Sequence, residues 1–395
     1  MKMRTDSMMP IRVLFACALA ALCLLGCGDR SAPPIDPALK ASLASWLAEH
    51  SKPPTDYVVG LFGSHDVVFL GEAHYLKHDL LFVQSLFEPL YRAGVRTFAT
   101  EFARREDQAL IDSLLAKPTW DEGLARTIVF SQFVLWGYQE YVDLFRAGWE
   151  LNRKLAPGAP RFRILGVNDS PDWSYFRTRA DMDVDSLKAK VWRGGGEEHW
   201  AQVILDAVGA GEKVLVYSGI HHALSGFLHP IVIDGKFVRF EDRRMGNFVY
   251  RKLGKRAVTV FLHAPWPGPK GMDDRWVCAA DGVIDALMQG LPSGPRAVGF
   301  DLAGSPFGNL RVRNALYARG YDDFRPSMFC DGWIYTQPIS SNQGVTPIQG
   351  WINAGNLERA RAQSPNPDWR QLTASEFNAR IAQAADVRKL WGHLR

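Results

Sequence analysis

Val67-Val68-Phe69-Leu70-Gly71-Glu72-Ala73-His74 decides the reading of this chain. Four consecutive apolar residues, two of them valine, read as a strand buried on both faces. The run stops at a glycine and releases a carboxylate and an imidazole at once. Open α/β sheets place their ligands beyond the C-terminal ends of parallel strands. Glu72 and His74 would stand there.

The same pattern recurs along the chain. Strand-like runs at residues 95–100, 162–167, 213–218, 257–262 and 297–300 lead respectively into Glu101, Asn168-Asp169, Gly219-Ile220-His221-His222, His263 and Asp301. Helical spacing separates them at 79–92, 106–115, 121–133, 138–155, 173–192, 197–208, 244–253 and 281–289. A hairpin is expected at 230–240 around Asp234-Gly235, and the proline- and glycine-rich loop 264–272 reads as a cover. The last expected helix spans 375–394, opened by the capping box Thr373-Ala374-Ser375-Glu376. The predicted fold is α/β: a mostly parallel sheet with helices on both faces and a helical C-terminal extension. The expected organisation is a leader over 1–26, a tether and helix over 27–56, and a single domain over 57–395.

Nothing in the composition forbids this. The chain has 395 residues and 47% hydrophobic content, enough for a sizeable core. Beyond residue 26 it carries 43 basic against 41 acidic residues and no long basic run, which argues against a nucleic-acid partner. The N-terminus reads as a targeting segment, with Lys2, Arg4 and Arg12 before an apolar run over 13–25. That run is too short to span a hydrocarbon core of ~30 Å. Leu24-Leu25-Gly26-Cys27 resembles the lipobox of bacterial lipoproteins. The resemblance implies cleavage before Cys27, lipid on its sulfur, and export to a bacterial membrane. Gly28 after the cysteine favours the periplasmic side of the outer membrane. Cys278 and Cys330 remain, and their pairing is left open.

Strand-end groups converge in a parallel sheet, and four histidines with several carboxylates fall in this set. Two imidazoles and one carboxylate from this set suit a divalent metal with open coordination positions. Without metal the same groups suit general-base attack by water, with His74 as base and Glu72 or Glu101 as its partner. Neither a Gly-x-Ser-x-Gly elbow nor a phosphate-binding glycine loop is present.

Gly71-Glu72-Ala73-His74 and Gly219-Ile220-His221-His222 are both Gly-x-x-His after an apolar strand, with Glu101 between them. This resembles the superfamily that joins Tiki/TraB-type proteins, erythromycin esterases and ChaN-like haem-binding lipoproteins. The Tiki branch implies a metal-dependent protease using His74, Glu101 and His222. The esterase branch implies His74 as general base, although Ala73 and Tyr75 depart from its usual Thr-His-Gly pattern. The ChaN-like branch implies haem held by Tyr and His ligands. Tyr75 and His221 are the candidate cofactor-side residues, and His78 is a further conceivable one.

The expected function is hydrolysis of an ester, lactone or amide carbonyl. The alternative is haem uptake without catalysis. Arg177 and Arg179 could bind a carboxylate or propionate. Trp136, Trp149, Trp173, Trp192 and Trp266 are candidates for an aromatic pocket or for core packing. Of the adjacent histidines, the resemblance picks His222 for the site.

Overall fold

The computed structural model describes residues 35–272, 274–294 and 296–394. The expected leader and Cys27 therefore lie outside the described residues. Two helices, α1 (Pro37–His50) and α2 (Pro54–Leu61), precede β1 (Val67–Glu72), α3 (Lys77–Arg92) and β2 (Thr97–Arg104). Next come α4 (Gln108–Ala116), α5 (Glu122–Gln132), α6 (Gln139–Lys154) and β3 (Arg163–Asn168). They are followed by α7 (Asp185–Val191), α8 (Glu197–Gly209), β4 (Val214–Gly219) and the single turn α9 (Ile220–Ala223). The hairpin β5 (His229–Ile233) and β6 (Lys236–Glu241) leads to α10 (Met245–Leu253), β7 (Ala257–Leu262), α11 (Val283–Gln289) and β8 (Val298–Asp301). The chain ends with α12 (Pro326–Phe329), β9 (Gly332–Tyr335), α13 (Leu357–Ala362), α14 (Ala374–Ala384) and α15 (Val387–Trp391).

The main sheet has seven strands in the order β3-β2-β4-β1-β7-β9-β8. All neighbours are parallel except β8, which runs antiparallel to β9. Strand side chains alternate between two cores. Val67 and Phe69 enter one with Leu43 and Leu47 of α1, Ile204 of α8 and Val249 of α10. Val68 and Leu70 enter the other with α3, α4, α5 and α6. Each such side chain, fully buried, is worth roughly 1.5–3 kcal/mol. Both faces are thus covered by helices, as a parallel sheet requires.

Helix α3 shows how the sequence aims the next strand. Leu80, Val83, Leu86, Phe87 and Leu90 form its buried stripe. The helix ends at Gly94, whose φ of 87° takes the left-handed conformation. The Val95 N–H then donates to Leu90 O and the Gly94 N–H to Tyr91 O, the paired bonds of a Schellman stop. β2 begins three residues after that glycine.

Several expectations change. Residues 173–192 do not form one helix. Asp172 and Asp181 accept hydrogen bonds from nearby backbone N–H groups, breaking the segment into short turns before α7. The C-terminal helix breaks at 385–386, where Asp386 caps α15; the Thr373–Glu376 capping box at the start of α14 is present. Strand β9 and helix α2 went unread. Because β8 is antiparallel and Asp301 pairs with Gly332, Asp301 sits at the opposite edge of the sheet from His74 and accepts a 2.8 Å bond from the Tyr57 hydroxyl. Cys278 and Cys330 are free thiols. No described helix is long and apolar enough to cross a membrane.

Candidate active site

The central strands β2, β4 and β1 are neighbours, and their register sets the site. Tyr217 lies between Thr100 and Leu70, so the residues just beyond them sit at one level. Glu101 is inside β2 rather than past its end, because β2 continues to Arg104 with an irregularity in its pairing to β3. Glu72 pairs with Gly219 across β1 and β4.

Glu72 is buried beneath His74. Its Oε1 is 2.7 Å from His74 Nδ1 and accepts a 2.9 Å bond from the Tyr141 hydroxyl; its Oε2 accepts from the Tyr217 hydroxyl. Burial first, and the Glu72 charge second, push both phenols well above their usual pKa, so both stay donors. The carboxylate is thereby fixed, and it fixes the imidazole, leaving Nε2 turned outward.

That outward Nε2 lies 3.7 Å from Glu101 Oε1. On the other side, His222 Nε2 lies 3.4 Å from Glu101 Oε2. Behind His222, Nδ1 is 3.0 Å from Oε2 of Glu197 in the first turn of α8. The site is a five-residue row: Glu72, His74, Glu101, His222, Glu197. One buried carboxylate stands between two imidazoles, each backed by another carboxylate. The imidazole side chains keep 33% and 25% exposure while the Glu101 carboxylate between them is shielded.

The charges follow from this layout. Burial alone would lower the pKa of His74, but the Glu72 hydrogen bond and the charges of Glu101 and Glu72 outweigh it and raise the value. For His222 burial is likewise outweighed by Glu197 and Glu101. Burial would raise Glu197, yet His222, Arg244 and the Met245 N–H bring it down to about 2. Arg244 Nη1 is 2.9 Å from Glu197 Oε1, and Met245 N donates to Oε2 at 2.8 Å.

Glycines make the contacts possible. A Cβ on Gly219 would stand 2.7 Å from His74 Cε1, and one on Gly71 would stand 2.3 Å from Ile220 Cδ1. The two Gly-x-x-His motifs are thus pressed against one another. Tyr75, next in line, holds φ at 75°, a costly conformation for a side chain with a Cβ. It is pinned by the Tyr141 hydroxyl at its N–H and by the Val345 N–H at its carbonyl. Its ring packs with Trp136 and Tyr138, and its phenol is pushed up to about 12 by burial and by Glu72 and Glu101. Trp136 stands 5.0 Å from His74 and Trp200 4.9 Å from His222 (ring centroids), giving the row aromatic walls.

Other expected residues lie elsewhere. His221 Nε2 contacts the Tyr317 hydroxyl at 2.9 Å and its ring packs on His229, so Tyr75 and His221 occupy separate surroundings. His263 is buried against Asp285 and Trp333. His78 is bonded to Gln337 and sits beside Asp79. Asn168 donates to the Glu101 carbonyl, and Asp169 ties Arg105 to the Gly196 N–H. Trp149 packs on Trp120, Trp173 on Trp192, and Trp266 in the core. Among the described residues no group of three or more His, Cys, Asp or Glu side chains is disposed to hold a metal ion. His74, Glu101 and His222 are brought together, the two Nε2 atoms lying 3.7 and 3.4 Å from the Glu101 oxygens. Glu197 and Arg244 were missed: Glu197 lies in a polar run after three glycines that carries no strand-end signal.

No family model matches the chain, and a search of curated proteins returned no match. Among solved structures the chain is similar to a succinoglycan biosynthesis protein, at 10% identity and a TM-score of 0.50 over 79% of this chain and 98% of that one. It is also similar to a protein from Bacillus cereus, at 11% identity and a TM-score of 0.49 over 80% and 100% of the two chains. A mutant of the erythromycin esterase EreC in its open conformation follows, at 10% identity and a TM-score of 0.46 over 71% and 92%. At such identities the likeness is one of α/β fold, and it rests on the first of the three.

Proposed function

We propose that this protein is a hydrolase that directs water at an ester, lactone or amide carbonyl through the row Glu72–His74–Glu101–His222–Glu197. The observation that carries this reading is the placement of Glu101 between two Nε2 atoms whose Nδ1 atoms each face another carboxylate, buried Glu72 behind His74 and part-buried Glu197 behind His222. A carboxylate on Nδ1 fixes the ring and stabilises its protonated form, the role such a partner plays for a general base.

In this mechanism neutral His74 takes a proton from water at Nε2, and Glu72 stabilises the imidazolium that forms. Water oxygen bonds to the carbonyl carbon. Protonated His222 donates from Nε2 to the leaving oxygen or nitrogen as the bond to it breaks. Glu101 keeps both rings aligned and balances their charge. Each proton relay of this kind contributes about 10²–10⁴-fold. The donor geometry does not favour a metal cage, so no step is routed through one. Haem uptake finds no support in Tyr75 and His221, which pack in separate clusters. Attachment to a membrane through lipidated Cys27 belongs to the same proposal and rests on the lipobox resemblance.

The test is a panel of p-nitrophenyl esters, lactones and peptide amides. His74→Asn should reduce turnover of any accepted substrate by about 10³-fold with an unchanged circular dichroism spectrum. Undiminished turnover in that variant would remove His74 from the chemistry.

A further inference from the structure

Away from the histidine row, residues 311–324 wall a cleft of about 460 Å³. Three arginines line it, Arg311, Arg313 and Arg319, against Asp322 and Asp323. Asp323 is already engaged, 3.2 Å from Arg311 and 2.7 Å from Arg325. Among the described residues Arg313 and Arg319 have no carboxylate within ion-pair distance. The Nε of Arg319 is buried with no acceptor, a costly state for a charged donor.

The wall is braced rather than loose. Arg319 Nη2 donates to Gly235 O in the β5–β6 turn, and the Tyr321 hydroxyl donates to Leu228 O at 2.7 Å. Phe240 packs on Tyr321 at 4.6 Å, and Phe237 sits where a side chain at Gly320 would stand. The hairpin β5–β6 adds no strand to the main sheet. It packs against this wall through Gly235, Phe237 and Phe240.

We infer that this cleft is an anion-binding site for a small phosphorylated or carboxylated ligand, seated on the guanidinium groups of Arg313 and Arg319 with its uncharged part against Tyr321. Planar guanidinium groups match the oxygens of such anions, and the volume falls in the range of small-molecule sites. The inference is independent of the hydrolase reading.

Isothermal titration of the purified protein with inorganic pyrophosphate at low ionic strength tests it. One saturable site per chain is expected, weakened about tenfold or more by Arg313→Gln and unchanged by His74→Asn. Arg319→Gln should weaken it too; Arg313 is exposed, so its variant keeps the test valid if the Arg319 variant misfolds. Absence of saturable binding, or equal affinity in the Arg313→Gln protein, would overturn the inference.

Discussion

The main-chain N–H of Gly219 donates to Oε1 of Glu101 across 3.1 Å. This bond joins two strands at the level of the site. It orients the carboxylate so that one oxygen faces each imidazole. Gly219 therefore has two duties: its N–H holds Glu101, and its missing side chain leaves room for His74.

Gly219→Ala should damage activity more than folding. The added Cβ would press on the His74 ring. Displacing that ring by about 1 Å predicts a loss on the order of 10²-fold in kcat/KM. Overpacking predicts about 1–3 kcal/mol of destabilisation. Kinetics beside a urea titration would separate the two. Wild-type activity in this variant would contradict the close packing of the two motifs.

Glu197→Gln tests the second imidazole. Glu197 has its folded pKa near 2, below the ordinary 4.5. Its stabilisation is therefore fully present above pH 4.5 and is lost as pH falls through about 2. At neutral pH the variant should lose on the order of 3 kcal/mol, because His222 and Arg244 lose their partner. The difference from wild type should shrink between pH 4.5 and 2. His222 carries the opposite sign. Its pKa is raised, so its contribution is complete below 6.5 and fades as pH rises through the folded value. Denaturation curves across pH would show both limbs.

Asp79 offers a gain. It is fully buried, neither carboxyl oxygen has a hydrogen-bond partner, and burial with the Glu72 charge pushes its pKa well above 3.8. A raised acid costs stability that accrues as pH rises from the unfolded pKa to the folded one and stays lost above it. Asp79→Asn should therefore raise stability at neutral pH by about 1–3 kcal/mol and leave it unchanged below pH 3. A lower melting temperature at pH 7 would show that the carboxyl has a role the contacts do not reveal.

Cys27→Ser tests the proposed anchor. Metabolic labelling with a radioactive fatty acid in a bacterial host should mark the wild-type chain and leave the variant unlabelled. Equal labelling of both would move the lipid elsewhere.

Much of this architecture was legible because buried parallel strands announce themselves. Val67 to Leu70 and Val214 to Tyr217 are unbroken apolar runs, and every one of those side chains is buried. Glu72, His74, Glu101 and His222 followed from strand ends. What stayed hidden has physical reasons. Gly332–Tyr335 is only four residues long and starts from a glycine, too short for periodicity to speak. The direction of Val298–Asp301 depends on pairing with that strand, so Asp301 was placed at the wrong edge. Glu197 meets His222 from the first turn of α8, whose preceding Gly196 N–H donates to Asp169 at 3.0 Å, a tertiary contact without a local signature.

The central claim is that one carboxylate serves two imidazoles. Nitrogen-15 NMR titration of the histidine rings, in wild type and in Glu101→Gln, tests it most directly. His74 and His222 should both titrate above 6.5 in the wild type, and both should move down in the variant. Titration at or below 6.5, or a shift confined to one ring, would contradict the shared carboxylate.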